Sequence, residues 1–500
     1  MRTRMTRLLL IAALLASACT TVVNPVTGRS ERSVMDEATE VQEGAKAHEA
    51  VLQEYGAYQD ARLQAYVNDL GQRLAKQSHR ANLKWTFTVL DSPEINAFAL
   101  PGGYVYVTRG IMAYLDSEAE LAGVMGHEIG HVTARHGAQR ATRQQAAGLG
   151  VLAATLLGAV IEGATGVGGA TNIASQLSQT AAAGYIASYS REQELQADEL
   201  GAEYLSRNRY NPQNMVDVIQ VLKNQELFAA DTAKAEGKPA PSASDWLSSH
   251  PANEKRLAEI KEFAAKYKGQ EGYADDGRAR YLQAISGMTF GDSPAQGLVR
   301  GRNFYHEPLG IALTAPQGWQ IHNAPEAIVL INGAGDAGLV VRPVPPKAGK
   351  THEEVIRNVL KPVDGRVERR NLHGLAATHF SGTIRNQQGQ TGQATLTLVT
   401  GPGDRIYWMQ YAAKSADARQ RAQAGLMEAE SSFRPLTAAD RAAAKPWSVQ
   451  TVPYPGGGFS ELAKSSSLPP ARAEAQLKLM NGVYGGGSEP KPGQAVKVVR

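Results

Sequence analysis

The 500-residue sequence predicts a multidomain α+β protein whose first half is mainly helical around a small β-sheet. Three observations predict it. A strand-like stretch, residues 85–107, runs directly into a helical segment carrying Gly126-His127-Glu128-Ile129-Gly130-His131. Beyond Gly291-Asp292-Ser293-Pro294 the helical periodicity gives way to alternating strands, and from residue 446 short strands and helices sit among glycine-rich turns. With 43% apolar residues, a chain of this length buries cores for roughly two to four domains.

Residues 1–18 read as an export signal. Arg2, Arg4 and Arg7 precede the apolar run Leu8 to Leu15, and Ala16-Ser17-Ala18 leads to Cys19. The run is too short to span a bilayer. Cys19 is the sole cysteine, so no internal disulfide can form. Its position resembles the lipobox of bacterial lipoproteins, which implies acylation of the Cys19 thiol. Thr20 after it implies sorting to the outer membrane; ordinary signal cleavage with an incidental cysteine is the alternative. Without the leader's three arginines, basic and acidic side chains nearly balance, so nothing calls for nucleic acid. Residues 19–35 are expected to form a polar tether.

Helical periodicity follows at 36–55 and again at 61–76, where Leu63, Tyr66, Val67, Leu70 and Leu74 form one stripe. Residues 85–90 alternate as a strand. Residues 96–100 and 104–107 are strands joined by the turn Pro101-Gly102-Gly103. Ser117 and Glu120 form an S-x-x-E capping box that starts the next helix, with Leu121, Val124, Met125, Ile129 and Val132 as its apolar face and Gly137 as its stop.

Two histidines four apart on a helix lie one above the other, so His127 and His131 can hold one metal ion. Glu128 beside them can reach a water on that ion, which is the H-E-x-x-H zinc signature. A catalytic zinc needs a third protein ligand. The stretch Ser190-Arg191-Glu192-Gln193-Glu194-Leu195-Gln196-Ala197-Asp198 supplies a candidate. Helical spacing puts Glu194 and Asp198 on one face, Glu194 as ligand and Asp198 as acceptor for the far N–H of a ligand histidine. Alone, this spacing equally describes a solvated acidic face. Between the two motifs, residues 146–187 are rich in Gly and Ala and read as helices packed around the metal helix, or as a membrane-touching surface.

Taken together, H-E-I-G-H, S-R-E-x-E-x-x-A-D, Ser249-His250-Pro251 with Arg256, and the hairpin N-A-F-A-L-P-G-G-Y-V-Y-V resemble the periplasmic HtpX-like and BepA-like zinc metallopeptidases. These are gluzincins related to the CAAX-type proteases. The resemblance implies a zincin-type catalytic domain over residues 36–268 and Zn2+ as cofactor, with His127, His131 and Glu194 as ligands and Glu128 as base. It places His250 and Arg256 at the active site. It further implies a substrate-binding edge strand at Asn96, Ala97 and Phe98, and an endopeptidase acting on bacterial envelope proteins from the periplasmic side. His250 follows a long polar loop, residues 231–249, and Pro251 biases it to extended backbone. It would either plug the metal's open position or donate to a developing oxyanion.

Residues 269–300 read as a linker. Residues 301–436 read as an α+β domain, with strands at 328–331, 338–344 and 395–400 and a helix at 416–432, and resemble the accessory domain behind such peptidases. Residues 446–500 resemble a LysM-like module, which implies peptidoglycan or envelope assembly proteins as partners; a plain docking module fits as well. The competing reading of the whole is an envelope lipoprotein that binds or chaperones proteins, with a structural or regulatory zinc.

Overall fold

The computed structural model describes residues 20–145, 189–235, 237, 250, 254–267, 272–273, 275–324, 327–385 and 391–500. The export signal, Cys19, residues 146–187 and most of the loop before His250 lie outside the described residues. Two compact units are present, residues 1–290 with 448–500, and residues 291–447. Among the described residues no helix is long and apolar enough to cross a membrane.

The first unit begins with β1 (Thr20–Val23) and β2 (Ser30–Ser33), an antiparallel hairpin. The sequence reading of 19–35 as a tether therefore needs correction. Asn24 closes the turn by accepting from Val26 and Thr27 N–H, and its amide donates to Ala134 O at the end of the metal helix. The polar composition serves docking here rather than solvation.

Helix α1 (Glu37–Tyr55) starts at Asp36, which accepts from Thr39 N–H, and α2 (Ala61–Lys76) starts at Asp60, which accepts from Arg62 and Leu63 N–H. The α2 stripe of Leu63, Val67, Leu70 and Leu74 is buried. Strands β3 (Thr86–Leu90), β4 (Ala97–Leu100) and β5 (Tyr104–Thr108) form a sheet in the order β3-β5-β4, with β3 parallel and β4 antiparallel to β5. Gly44 of α1 lies against the turn after β4, where an added Cβ would be 1.9 Å from Pro101 O. The helix can approach the sheet that closely because it has no side chain at that point.

Helix α3 (Glu118–Thr133) carries H-E-x-x-H. The sequence predicts one apolar face, but all sixteen residues are buried, because α3 contacts β4, α2, α4 (Arg191–Arg207) and α5 (Asn214–Ala235). The capping box is half formed. Ser117 Oγ accepts Glu120 N–H, while the Glu120 carboxylate accepts from Asp116 N–H one residue earlier. The helix ends at Ala134–Arg135, before Gly137. Arg135 takes the left-handed conformation (φ 61°), held by its guanidinium on Glu40 (3.0 Å) and Met35 O (2.7 Å), anchors that outweigh the usual preference for glycine.

Helix α5 runs through Ala235, so the loop before His250 is shorter than 231–249, and α6 (Glu254–Lys266) follows it. The expected linker 269–300 is partly structured. Helix Arg278–Ile285 buries Tyr281, Leu282 and Ile285, and Thr289–Phe290 joins a three-stranded sheet with Trp447–Pro453 and Ala495–Val499. The terminal residues form strand–helix–helix–strand through Gly458–Lys464 and Pro470–Met480. Lys497 is fully buried, donating to Leu115 O and paired with Asp116 at 3.0 Å just ahead of α3.

The second unit holds a seven-stranded antiparallel sheet. Its spatial order is Gln320–Ala324, Ala327–Ile331, Ala337–Pro343, Ile406–Ala413, Thr391–Thr400, Leu375–Arg385, Arg366–Leu372. Helix Ala416–Ser431 packs on its central strands, and Phe304, Leu330, Leu339, Met409 and Phe433 share its core.

Candidate metal centre

Helices α3 and α4 approach closely because small residues face each other. Added Cβ atoms at Gly126 and Gly130 would lie 3.4 Å from Gly201 and 3.1 Å from Ala197 O. Helix α4 is started by a complete capping box between Ser190 and Gln193, which fixes the face that Glu194 and Asp198 present.

His127, His131, Glu194 and His250 are all buried and offer ligand atoms within 4.8 Å of one another, the one such group among the described residues. His127 Nε2 lies 3.0 Å from His131 Nε2 and 3.6 Å from Glu194 Oε2; His131 Nε2 lies 3.5 Å from Glu194 Oε1. His250 Nδ1 is 3.2 Å from His127 Nε2 and 3.0 Å from Glu194 Oε1. A tetrahedral zinc with arms of about 2.0–2.1 Å separates its ligand atoms by about 3.3–3.4 Å. The observed spacings bracket that value, so the donor set fits a zinc ion in size and in chemistry. His127 Nδ1 donates to Asp198 at 2.8 Å, which leaves its Nε2 lone pair facing the centre. Glu128 is also fully buried, its Oε1 3.6 Å from His250 Nε2.

Arg256 ties the cluster together. It makes a bidentate pair with Asp198 (2.6 and 2.8 Å), approaches Glu194 Oε2 at 3.1 Å, and donates to the backbone carbonyl of His250 at 3.0 Å. Burial would push Asp198 up, but the Arg256 charge and hydrogen bonds hold it at about 2. Burial likewise opposes ionisation of Glu194, and His250, Arg256 and His127 outweigh it, leaving its pKa below the usual range. Burial lowers His131 well below an ordinary histidine, and neighbouring His127, His136 and His250 push the same way. For His250, burial acts downwards but the carboxylates of Glu194 and Glu128 win, and its pKa is raised.

The structure brings together seven of the sequence candidates: His127, Glu128, His131, Glu194, Asp198, His250 and Arg256. Ala97 and Phe98 lie on β4, which contacts α3, and Asn96 directly precedes that strand. All three residues are buried, Phe98 in one core cluster with Ala47, Val51 and Tyr106, and β4 is an edge strand of its sheet. Sequence reasoning missed three residues. Tyr189 stacks on His131 with ring centroids 4.0 Å apart, and His136 and Gln196 stand behind His131. A third histidine five residues past H-E-x-x-H was the signal available for His136.

A small sheet leading into a buried H-E-x-x-H helix, with a glutamate and an aspartate from a second helix, defines a zinc metallopeptidase domain. Residues 61–264 match the model of peptidase family M48. The beta-barrel assembly-enhancing protease of Yersinia pestis is 32% identical over 213 residues, covering 42% of this chain and 40% of that protein. Its counterpart from Escherichia coli K12 is 32% identical over 206 residues, covering 40% and 39%. The mitochondrial metalloendopeptidase OMA1 of Schizosaccharomyces pombe is 30% identical over 224 residues, covering 43% and 58%. The chain thus spans about two fifths of the length of these bacterial relatives. A solved cyanobacterial PsbP structure from Synechocystis is 16% identical and covers 28% of this chain and 98% of its own, with a TM-score of 0.20, too low to define a fold.

Proposed function

We propose that the chain is a zinc-dependent endopeptidase of the bacterial envelope that His250 holds latent. The carrying observation is the convergence of His127 Nε2, His131 Nε2 and the Glu194 carboxylate on one point, with Glu128 alongside. His127, His131 and Glu194 are the ligands. Zinc bound there would polarise a scissile carbonyl and acidify a water. Glu128 takes the proton of the attacking water and returns it to the leaving amine. Asp198 fixes the His127 tautomer, and Arg256 holds Asp198 and Glu194 in place.

The outer edge of β4 holds an extended substrate by strand addition, through backbone bonds that demand no particular sequence. This favours unfolded or misassembled envelope proteins. The relatives named for β-barrel assembly support β-barrel proteins in assembly as the substrate pool. Acylation of Cys19 would place the enzyme there, on the periplasmic side, and the terminal module would bring it to peptidoglycan or assembly partners.

His250 supports latency because its Nδ1 lies 3.2 Å from His127 Nε2 and 3.0 Å from Glu194 Oε1, inside the same group of candidate ligands as His131. Four protein ligands close a zinc site, whereas a catalytic one keeps a position open. The test is digestion of an unfolded protein such as casein by the parent and the His250→Ala chain. Chelator-sensitive hydrolysis that zinc restores, and that rises in His250→Ala, is expected. A lower rate in that variant would assign His250 to oxyanion stabilisation instead, and hydrolysis insensitive to chelator would end the zinc reading.

A further inference from the structure

We infer that His136 is a positioning residue for the metal centre: its Nδ1 accepts the Nδ1–H of His131, in a tautomer fixed by Gln196. The inference rests on the reading of His131 as a ligand through Nε2.

Helix α3 could have continued past Thr133, leaving His131 Nδ1 to face whatever packed there. Instead the left-handed Arg135, anchored on Glu40 and Met35 O, turns the chain, and a second helical stretch starts at His136. That turn brings His136 Nδ1 to 2.9 Å from His131 Nδ1, with the rings 71° apart and both side chains buried. On the other side of His136, Nε2 lies 2.9 Å from Gln196 Oε1 on α4, between Glu194 and Asp198 in the chain.

The proton positions follow from these contacts. A neutral imidazole carries one N–H. If His131 Nε2 faces the metal with its lone pair, its proton is on Nδ1, and His136 Nδ1 must accept it. The His136 proton is then on Nε2, where the Gln196 carbonyl oxygen accepts it. Each contact in the series joins one donor to one acceptor, and reversing any of them leaves two protons or two lone pairs facing each other in a buried site.

The two ligand histidines are therefore backed by unlike acceptors. His127 donates to a carboxylate and gains basicity from it, whereas His131 donates to an uncharged ring. One negative charge fewer behind the centre leaves a bound cation the stronger Lewis acid, while the ring of His131 is still locked in direction.

The experiment measures zinc affinity by chelator competition and the absorption bands of the Co2+-loaded form, in the full chain. His136→Leu leaves the His131 N–H buried without an acceptor and is expected to weaken zinc by about tenfold to a hundredfold and to shift the cobalt bands. His136→Gln, which restores an acceptor, recovers most of the affinity. Gln196→Met keeps the volume and removes the acceptor that sets the His136 tautomer; it is expected to weaken zinc by a smaller factor. If His136→Leu unfolds the metal-free chain, Gln196→Met decides. Parent affinity and an unchanged cobalt spectrum in Gln196→Met, or in a folded His136→Leu, would overturn the inference and leave packing alone. Full zinc occupancy in His131→Ala would instead remove the ligand reading on which it rests.

Discussion

Replacing Arg256 by methionine tests how the buried charges of this centre are balanced. The side chain is 3% exposed, and its guanidinium faces two buried carboxylates, Asp198 and Glu194. Methionine fills much of the volume and removes the charge. Breaking a buried ion pair by deleting one partner costs ~3–5 kcal/mol, because the other charge is left uncompensated. At about 2–4 °C per kcal/mol for a domain of this size, the metal-free chain should lose roughly 6–20 °C in Tm. Zinc supplies positive charge beside Glu194, so the loss should shrink when zinc is added. Its affinity should fall by about tenfold to a hundredfold, because Asp198 and Glu194 are no longer held. Arg256→Lys keeps a point charge without the planar fork that grips Asp198 and should recover less than half of the loss. The exposed pair Lys266–Glu199 is the control, where Lys266→Ala should cost no more than ~1 kcal/mol. Thermal melts with and without zinc, with chelator competition, read all of these. An Arg256→Met chain that melts within about 2 °C of the parent and keeps its zinc affinity would refute this electrostatic reasoning.

Other outcomes follow from the same geometry. Gly201→Ala would place a Cβ 3.1 Å from His127 N and 3.3 Å from Met215 Cε, so it should cost ~1–3 kcal/mol by overpacking and weaken zinc by spreading α3 from α4. A variant with parent stability and zinc affinity would show that the helices have slack. Glu120, whose pKa burial and then the nearby Asp116 charge raise to about 8, titrates near about 4.3 when unfolded. The folded state therefore takes up a proton between those values, and stability falls as pH rises from about 4.3 to about 8. Glu120→Gln keeps an acceptor for Asp116 N–H and should flatten that part of the Tm-against-pH curve; an unchanged slope there would contradict it. Lys497→Met should lower Tm by removing the Lys497 contacts to Leu115 O and Asp116, a loss that the remaining Arg278–Asp116 pair limits, and a neutral effect would show that the terminal strand is not anchored by charge.

Residues that define the centre were legible wherever local spacing decides geometry. A four-residue step on a helix places His127 over His131, and Glu194 on the same face as Asp198, whatever the rest of the chain does. The strand–turn–strand before the metal helix was legible for the same reason, from alternation and the Pro101-Gly102-Gly103 turn. Contacts that depend on distant partners were not legible. Arg135 ends α3 because Glu40 and Met35, about a hundred positions earlier, hold its guanidinium. The sequence shows a third histidine at 136 but not the turn at Arg135 that makes it a neighbour of His131. The docking of residues 20–33 uses hydrogen bonds from Asn24 to Ala134 O and from Gln139 to Glu31, invisible in a polar stretch. Nothing local to residues 495–499 shows that Lys497 is buried against Leu115 and Asp116, nearly four hundred positions earlier. Periodicity reports a residue's own element and is silent about what packs across from it.

The most direct measurement compares zinc content and casein hydrolysis in the parent and the Glu128→Gln chain. Glutamine preserves size and leaves His127, His131 and Glu194 untouched, so zinc should stay at about one ion per chain. With the base gone, hydrolysis should fall on the order of a hundredfold to ten-thousandfold. Glu128→Gln protein that keeps its zinc and digests casein at the parent rate would contradict the assignment of Glu128, and with it the proposed chemistry of the centre.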